Sequence, residues 1–206
     1  MRLIAASAPG AIELAAGALR AGGIVALPTE TVYGLVVMPD ERGVERLIAA
    51  KQRSADKGIQ LLVDSIGQAR ALAVVPALAE RLAAAFWPGP LTLVLPRRAD
   101  VSLPAGLGGG RPTLGIRLPN HDVPRRLARE LGPLAASSAN ISGQPDATTA
   151  ELVTTSLGDV VALVLDDGPV RGGVPSTVVD CTGPDDGVRI LRVGALSEAS
   201  ILAAAG

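Results

Sequence analysis

The stretch Gly23-Ile-Val-Ala-Leu-Pro-Thr-Glu-Thr-Val-Tyr-Gly34 decides how the rest of the chain is read. It opens with an apolar run, Gly23 to Leu27, that predicts a buried strand, and continues as a polar loop holding the only tyrosine. Asp40 to Lys51 then carries Val44, Leu47 and Ile48 on one helical face, and Ile59 to Val63 returns to an apolar run. A strand, a helix and another strand in succession predict helices packed on a sheet.

Working outward, Ala11 to Arg20 reads as a helix. Pro9-Gly10 and Glu13 break the faintly signal-like run at Met1 to Ala6 too early for a secretory leader. Downstream, Pro76 to Phe86 is a helix opened by proline, and Val123 to Leu131, Thr149 to Leu157 and Ser197 to Ala204 are further helices. Strands are expected at Leu91–Leu95, Leu114–Leu118, Leu134–Ala136, Val160–Leu165, Thr177–Cys181 and Val188–Arg192. The early and middle parts alternate strand and helix while the end supplies consecutive strands. That order predicts an α/β fold with a twisted mixed sheet flanked by helices, built as one domain over residues 1–206. The Gly- and Pro-rich segment Asp100 to Pro112 reads as a surface loop, with a lid as the alternative.

Composition narrows the function classes. Apolar residues make up 48% of the chain and aromatics only 1%, so the core must be built from Ala, Val, Leu and Ile. A net charge of −1 argues against a surface coated for nonspecific nucleic-acid binding, though not against a local basic groove. Cys181 and His121 are each alone, which excludes an intrachain disulfide, a thiolate zinc finger and a histidine-rich metal site. A divalent ion would need oxygen ligands, some from substrate. No apolar stretch reaches transmembrane length, and a cytoplasmic protein is expected.

Four segments carry polar chemistry. Thr29, Thr31 and Tyr33 offer hydroxyls to a small polar substrate, against the plainer reading of a strand-to-helix turn. The only two lysines, Lys51 and Lys57, flank Arg53 in one short stretch, a set able to neutralise a polyphosphate or a leaving pyrophosphate. Their plainer reading is a solvated cationic turn. Ser137-Ser-Ala-Asn-Ile-Ser-Gly143 has the small residues, hydroxyls and amide that let a backbone approach an anion. Gly172 to Asp180 is a glycine turn entering a strand at Ser176, and Arg117 and Arg192 each end a strand and could share one cleft, though either could equally be a surface arginine, the commoner fate. His121 sits in a turn-like Pro119-Asn-His-Asp122 far from any serine motif, so a Ser-His-Asp hydrolase is not expected. No Walker sequence or dinucleotide fingerprint is present, and Tyr33, Phe86 and Trp87 are too few for a base-stacking platform.

Together these segments resemble the YrdC/TsaC family of threonylcarbamoyl-AMP synthases. The match spans Gly22 to Gly194. It rests on Pro28-Thr-Glu-Thr-Val-Tyr-Gly-Leu35, Lys51-Gln-Arg53, Trp87-Pro-Gly-Pro-Leu-Thr92, Arg117, Ser138-Ala-Asn-Ile-Ser-Gly143, Pro175-Ser-Thr177 and Ile190-Leu-Arg192. The resemblance implies a YrdC-like sheet with a concave, positively lined cleft, and the reaction of L-threonine, bicarbonate and ATP to threonylcarbamoyl-adenylate and pyrophosphate. That product serves the threonylcarbamoyladenosine (t6A) modification of tRNA. It implies catalytic roles for Lys51 and Arg53, and an ATP site completed by Thr113, Ala136, Ser138, Asn140 and Arg192. Threonine would meet Thr29, Thr31, Tyr33, Arg117 and Ser176, with Mg²⁺ bridging phosphate oxygens.

A tRNA contact and a downstream threonylcarbamoyl transferase complex would be the partners, without a membrane. Since the chain ends soon after Gly194, the short form lacking an extra C-terminal domain is expected. Departures from the family's common pattern fall at Ser54, Leu62 and Pro175. The alternatives are a carbamoyl-adenylate-forming relative, whose Cys-rich zinc fingers the single cysteine excludes, and a noncatalytic RNA-binding module using the same cleft.

Overall fold

The computed structural model describes residues 1–52, 54, 58–183 and 188–206. In chain order the elements are β1 (Arg2–Ala5), α1 (Ala11–Arg20), β2 (Val25–Leu27), β3 (Gly34–Val37), α2 (Glu41–Ala50), β4 (Gln60–Leu62), α3 (Ile66–Leu72), α4 (Ala77–Phe86), β5 (Leu91–Pro96), β6 (Thr113–Arg117), α5 (Asp122–Leu131), β7 (Leu134–Ser138), α6 (Ala150–Leu157), β8 (Leu163–Asp166), β9 (Thr177–Asp180), β10 (Arg189–Arg192) and α7 (Glu198–Ala205). Among the described residues the strands join one mixed sheet in the order β1-β8-β2-β3-β7-β4-β6-β5-β9-β10. The pairs β1/β8, β2/β8, β4/β6 and β5/β9 are parallel, and the others are antiparallel.

Strand alternation splits the core between the two faces of this sheet. Ala26, Leu35, Leu61, Leu93 and Ile116 point to one face, where Val44 and Leu47 of α2, Leu78 and Leu82 of α4, Val153 of α6 and Ile201 of α7 cover them. Val25, Leu27, Val36, Leu62 and Leu134 point to the other, under Ile12 and Leu19 of α1 and Val123 and Leu127 of α5. Each fully buried Leu or Val contributes roughly 1.5–3 kcal/mol of burial, so Leu, Val and Ala supply most of the core, with Tyr33 buried among them. On the second face the buried cluster ends at β4. Along β6 the alternation runs Thr113, Gly115, Arg117 against the buried Leu114 and Ile116. The helices therefore leave the β6–β5–β9 part of that face uncovered, where Thr92, Thr113 and Arg117 stand beside Val94 and Val178.

Three sequence expectations change. The loop after β2 leads into β3, which pairs antiparallel with β2, so it closes a hairpin rather than opening a helix. The helix that follows β3 is capped by Asp40, which accepts from the Gly43 N–H at 2.7 Å. Arg2–Ala5, faintly signal-like in sequence, is a strand paired to β8. In the Gly-rich segment, a 3₁₀ turn at Ala105–Gly108 buries Leu107 against the core, so the segment is not simply a surface loop.

Candidate active site

The uncovered half of the sheet forms the floor of a cavity of about 300 Å³. Ala136 and Ser138 of β7, Gln60 and Leu62 of β4, Thr113, Gly115 and Arg117 of β6, Thr92 and Val94 of β5, and Val178 of β9 line it. Leu107, Gly108 and Arg111 of the Gly-rich segment form one wall. Thr29, Ser176 and Arg192 also face the space.

At one end, the β2–β3 loop is held by its own threonines. Thr29 Oγ1 donates to the Val32 carbonyl at 2.7 Å and accepts from the Thr31 and Val32 N–H groups at 3.1 and 3.2 Å. This turn brings Thr31 Oγ1 to 3.0 Å from Arg117 Nη2, which donates to it. Arg117 Nε donates to the Gly89 carbonyl at 3.3 Å. Behind it Glu30 Oε2 lies 2.8 Å from Nη2, and the Arg117 side chain is only 3% exposed. Both Glu30 oxygens are buried without a well-directed hydrogen bond, so this contact is an off-axis ion pair. A guanidinium fixed on three sides and facing a cavity is suited to a carboxylate.

Gly172 lets the fourth polar segment lie against this loop. A Cβ there would sit 2.7 Å from the Glu30 carbonyl oxygen, and the adjacent Gly173 N–H donates to the Thr31 carbonyl at 2.8 Å. That approach delivers Ser176 to the floor, where its Oγ lies 2.8 Å from Thr92 Oγ1. Arg192 reaches over from β10, its Nη2 donating to the Ser176 carbonyl at 2.8 Å and to Ser176 Oγ at 3.2 Å. Burial lowers the pKa of Arg192 and the neighbouring Arg117 charge lowers it further, while Asp146 opposes both.

At the other end, the chain turns after β7. Ser138 Oγ donates to Asn140 Oδ1 at 2.6 Å, and Lys51 Nζ donates to the carbonyls of Ser138 and Asn140 and to Asn140 Oδ1, the last two at 2.7 and 2.9 Å. Lys51 is buried, so a positive charge sits directly beneath the turn that presents Ser138.

The structure thus brings Thr29, Thr113, Ala136, Ser138, Arg117, Ser176 and Arg192 to one cavity. Thr31, Lys51 and Asn140 stand behind its wall, each bonded to a residue that faces it. Tyr33 is not brought in. It is buried, and its hydroxyl donates to the Gly168 carbonyl at 2.8 Å, tying the hairpin to the end of β8. Arg53 and Lys57 lie outside the described residues. His121 caps α5, its Nδ1 accepting from the Val123 N–H, with Nε2 3.4 Å from Asp167. Burial lowers its pKa, opposed by Asp167, Glu30 and Asp122. Sequence reading missed Gln60, Thr92, Arg111 and Glu30. Two signals for the floor were present: a polar residue inside an apolar strand at Gln60, and a glycine inside another at Gly115.

Comparison with known proteins identifies the family and the fold. The family model described as Sua5_yciO_yrdC, telomere recombination, matches residues 17–194. The chain is 45% identical over 175 residues to a threonylcarbamoyl-AMP synthase of Pyrococcus abyssi, covering 83% of this chain and 51% of that one, so it spans about half of that relative's length. It is 43% identical to a putative threonylcarbamoyl-AMP synthase of Mycobacterium tuberculosis, covering 90% of this chain and 85% of the other. The crystal structure of P. abyssi Sua5 complexed with L-threonine superposes with a TM-score of 0.90 at 40% identity, over 98% of this chain and 60% of that one. With nearly its whole length matched in sequence and in fold, the chain belongs to the Sua5/YciO/YrdC family.

Proposed function

We propose that this chain is an L-threonylcarbamoyladenylate synthase, a nucleotidyltransferase using L-threonine, bicarbonate and ATP. The observation that carries the reading is a single cavity with two chemically different ends. Arg117, Thr29 and Ser176 suit the carboxylate and hydroxyl of a small amino acid, with Thr31 fixing Arg117 from behind. Thr113, Ala136 and Ser138 suit a nucleotide, with the Lys51 charge beneath the Ser138 turn and Asn140 holding its shape; Arg192, bonded to Ser176, is assigned to the nucleotide by the family resemblance alone. Arg53 is proposed as a triphosphate partner from its place in the Lys-x-Arg motif. The names of the P. abyssi relatives support threonine and the adenylate product.

The chemistry asks for positioning more than for a nucleophile. The threonine amine attacks the bicarbonate carbon, the C–N bond forms and water leaves, giving a carbamate. One carbamate oxygen then attacks the α-phosphorus; that O–P bond forms as the bond to the β-phosphate oxygen breaks, and pyrophosphate departs. Fixed guanidinium groups and hydroxyls in a walled cavity stabilise the charge that shifts during these steps. Mg²⁺ would arrive with the nucleotide. Among the described residues no group of three or more His, Cys, Asp or Glu side chains could hold a metal. The hydroxyls and arginines of the cavity suit an ion whose ligands are phosphate oxygens and water, and such an ion would neutralise phosphate charge.

The reading extends to an enzyme of the cytoplasm in which residues 1–206 form one domain and the product passes to a threonylcarbamoyl transferase complex acting on tRNA. No helix among the described residues is long and apolar enough to cross a membrane. Pyrophosphate release from ATP and Mg²⁺, with threonine and bicarbonate omitted in turn, tests the proposal. Release that needs both, with a product of the threonylcarbamoyl-adenylate mass, is expected. Folded protein that binds tRNA in a strongly salt-dependent way but never turns over ATP would point instead to the RNA-binding module.

A further inference from the structure

Gln60 stands at the middle of the cavity floor. It pairs laterally with Ala136 of β7 on one side and Gly115 of β6 on the other, so only small residues flank it. Because Gly115 has no side chain, Thr92 of β5 reaches across the intervening strand. Thr92 Oγ1 donates to Gln60 Oε1 at 2.9 Å, and a Cβ on Gly115 would lie 3.5 Å from the Thr92 methyl and 3.7 Å from Gln60 Cβ.

That bond belongs to a directed chain. Having given its one proton to Gln60, Thr92 must accept from Ser176 Oγ at 2.8 Å, and Ser176 Oγ accepts from Arg192 Nη2 at 3.2 Å. Every link runs from a guanidinium towards an amide carbonyl, and aligned hydrogen bonds polarise one another. The Gln60 oxygen is committed to Thr92, so the amide turns its two N–H donors on Nε2 to the cavity that the side chain lines. One step along the strands in one direction lies the pair Leu62 and Arg117; in the other lie Thr113 and Ser138. The donors therefore sit between the two ends of the cavity.

We propose that Gln60 Nε2 contacts the substrate at this junction, donating to the carbamate oxygen that does not attack, and so selects the bicarbonate-derived group. This rests on the synthase reading above. Holding one carbamate oxygen by a fixed N–H donor leaves the other aimed at the α-phosphorus, and bond making and breaking are those already given. Thr92 is the positioning residue that sets which end of the amide faces substrate.

The test uses the full chain with Gln60→Met, close in volume and without donors, and Gln60→Glu, of the same shape but repelling an anion. Adenylate formation is measured against bicarbonate in CO₂-depleted buffer, and ATP and threonine binding are measured separately by calorimetry. For Gln60→Met, kcat/KM for bicarbonate should fall about 100-fold, the typical effect of removing one oxyanion donor. Gln60→Glu should fall at least as far, while ATP and threonine affinities stay within about threefold in Gln60→Met, which removes neither ligand's own contacts and adds no charge. A bicarbonate kcat/KM within threefold of wild type, or a loss confined to ATP or threonine binding, overturns the role of Gln60 alone. A wild-type chain that binds ATP but makes no adenylate overturns the synthase reading and this role with it.

Discussion

Lys51 shows how one side chain can serve a site without standing in it. Its ammonium donates to two carbonyls and a side-chain amide of the Ser138–Asn140 turn while remaining buried. Replacing it with Ala would leave carbonyl oxygens inside the protein with a donor removed, and each such group costs about 1–3 kcal/mol. From sequence, a lysine beside an arginine reads as a phosphate ligand, and loss of activity without loss of fold is the expectation. The structure changes that expectation: Lys51→Ala should lower stability by about 2 kcal/mol as well as activity, visible as an earlier denaturant midpoint at unchanged slope. An unaltered midpoint would mean that the Ser138 turn does not depend on this ammonium. Arg117 is fixed just as firmly, by Thr31, Gly89 and Glu30; in sequence an arginine ending a strand reads equally well as a surface residue, and its proposed role as a carboxylate partner came from the family resemblance.

At the scale of elements, what the sequence disclosed and what it hid follow from the range of the interactions. Helices with strong local periodicity, such as α1, α2 and α5, stand where the apolar spacing places them. Two strands did not show. β1 is mostly exposed along its length and pairs with β8 far along the chain, so nothing local distinguishes it. β3 begins at Gly34, inside the motif that reads as a loop, and is fixed by pairing with β2 and β7. Gln60 stands out locally as a polar residue in an apolar strand, but its meaning comes from Gly115 on the neighbouring strand, and no local pattern reports that pairing.

The hairpin that β3 forms also explains Tyr33. Burial pushes its pKa up to about 12, partly offset by the Asp167 N–H and reinforced by Asp166. The sign follows from proton counting. Between the ordinary value of 10.0 and about 12 the unfolded chain releases a proton that the folded chain keeps, so stability falls as pH rises. Below that window the contribution is complete. Wild type should therefore lose more stability than Tyr33→Phe on going from pH 9 to pH 12 in denaturant titrations. Parallel profiles for the two proteins would show that the hydroxyl titrates normally.

Over the whole molecule, the cavity exists only when distant parts of the chain are assembled. Arg117 meets Thr31 across 86 residues of chain, and Thr92 meets Ser176 across 84. An unfolded chain has no partial version of such a site, so ligands should bind the folded state alone and stabilise it by mass action. At a ligand concentration of about 100 times Kd the gain is roughly 2.7 kcal/mol. For a chain of this length that corresponds to a rise in melting temperature of roughly 5–10 °C. The two-ended cavity makes the pattern of shifts informative. ATP with Mg²⁺ and threonine should each raise the melting temperature, since each fills its own end, and together they should raise it further. Alanine, which lacks the hydroxyl offered to Thr29 and Ser176, should shift it less than threonine at equal concentration. A threonine shift matched by alanine would remove these hydroxyls from amino-acid recognition while leaving Arg117 as the carboxylate partner. A shift with ATP and none with any amino acid would reduce the cavity to a nucleotide site.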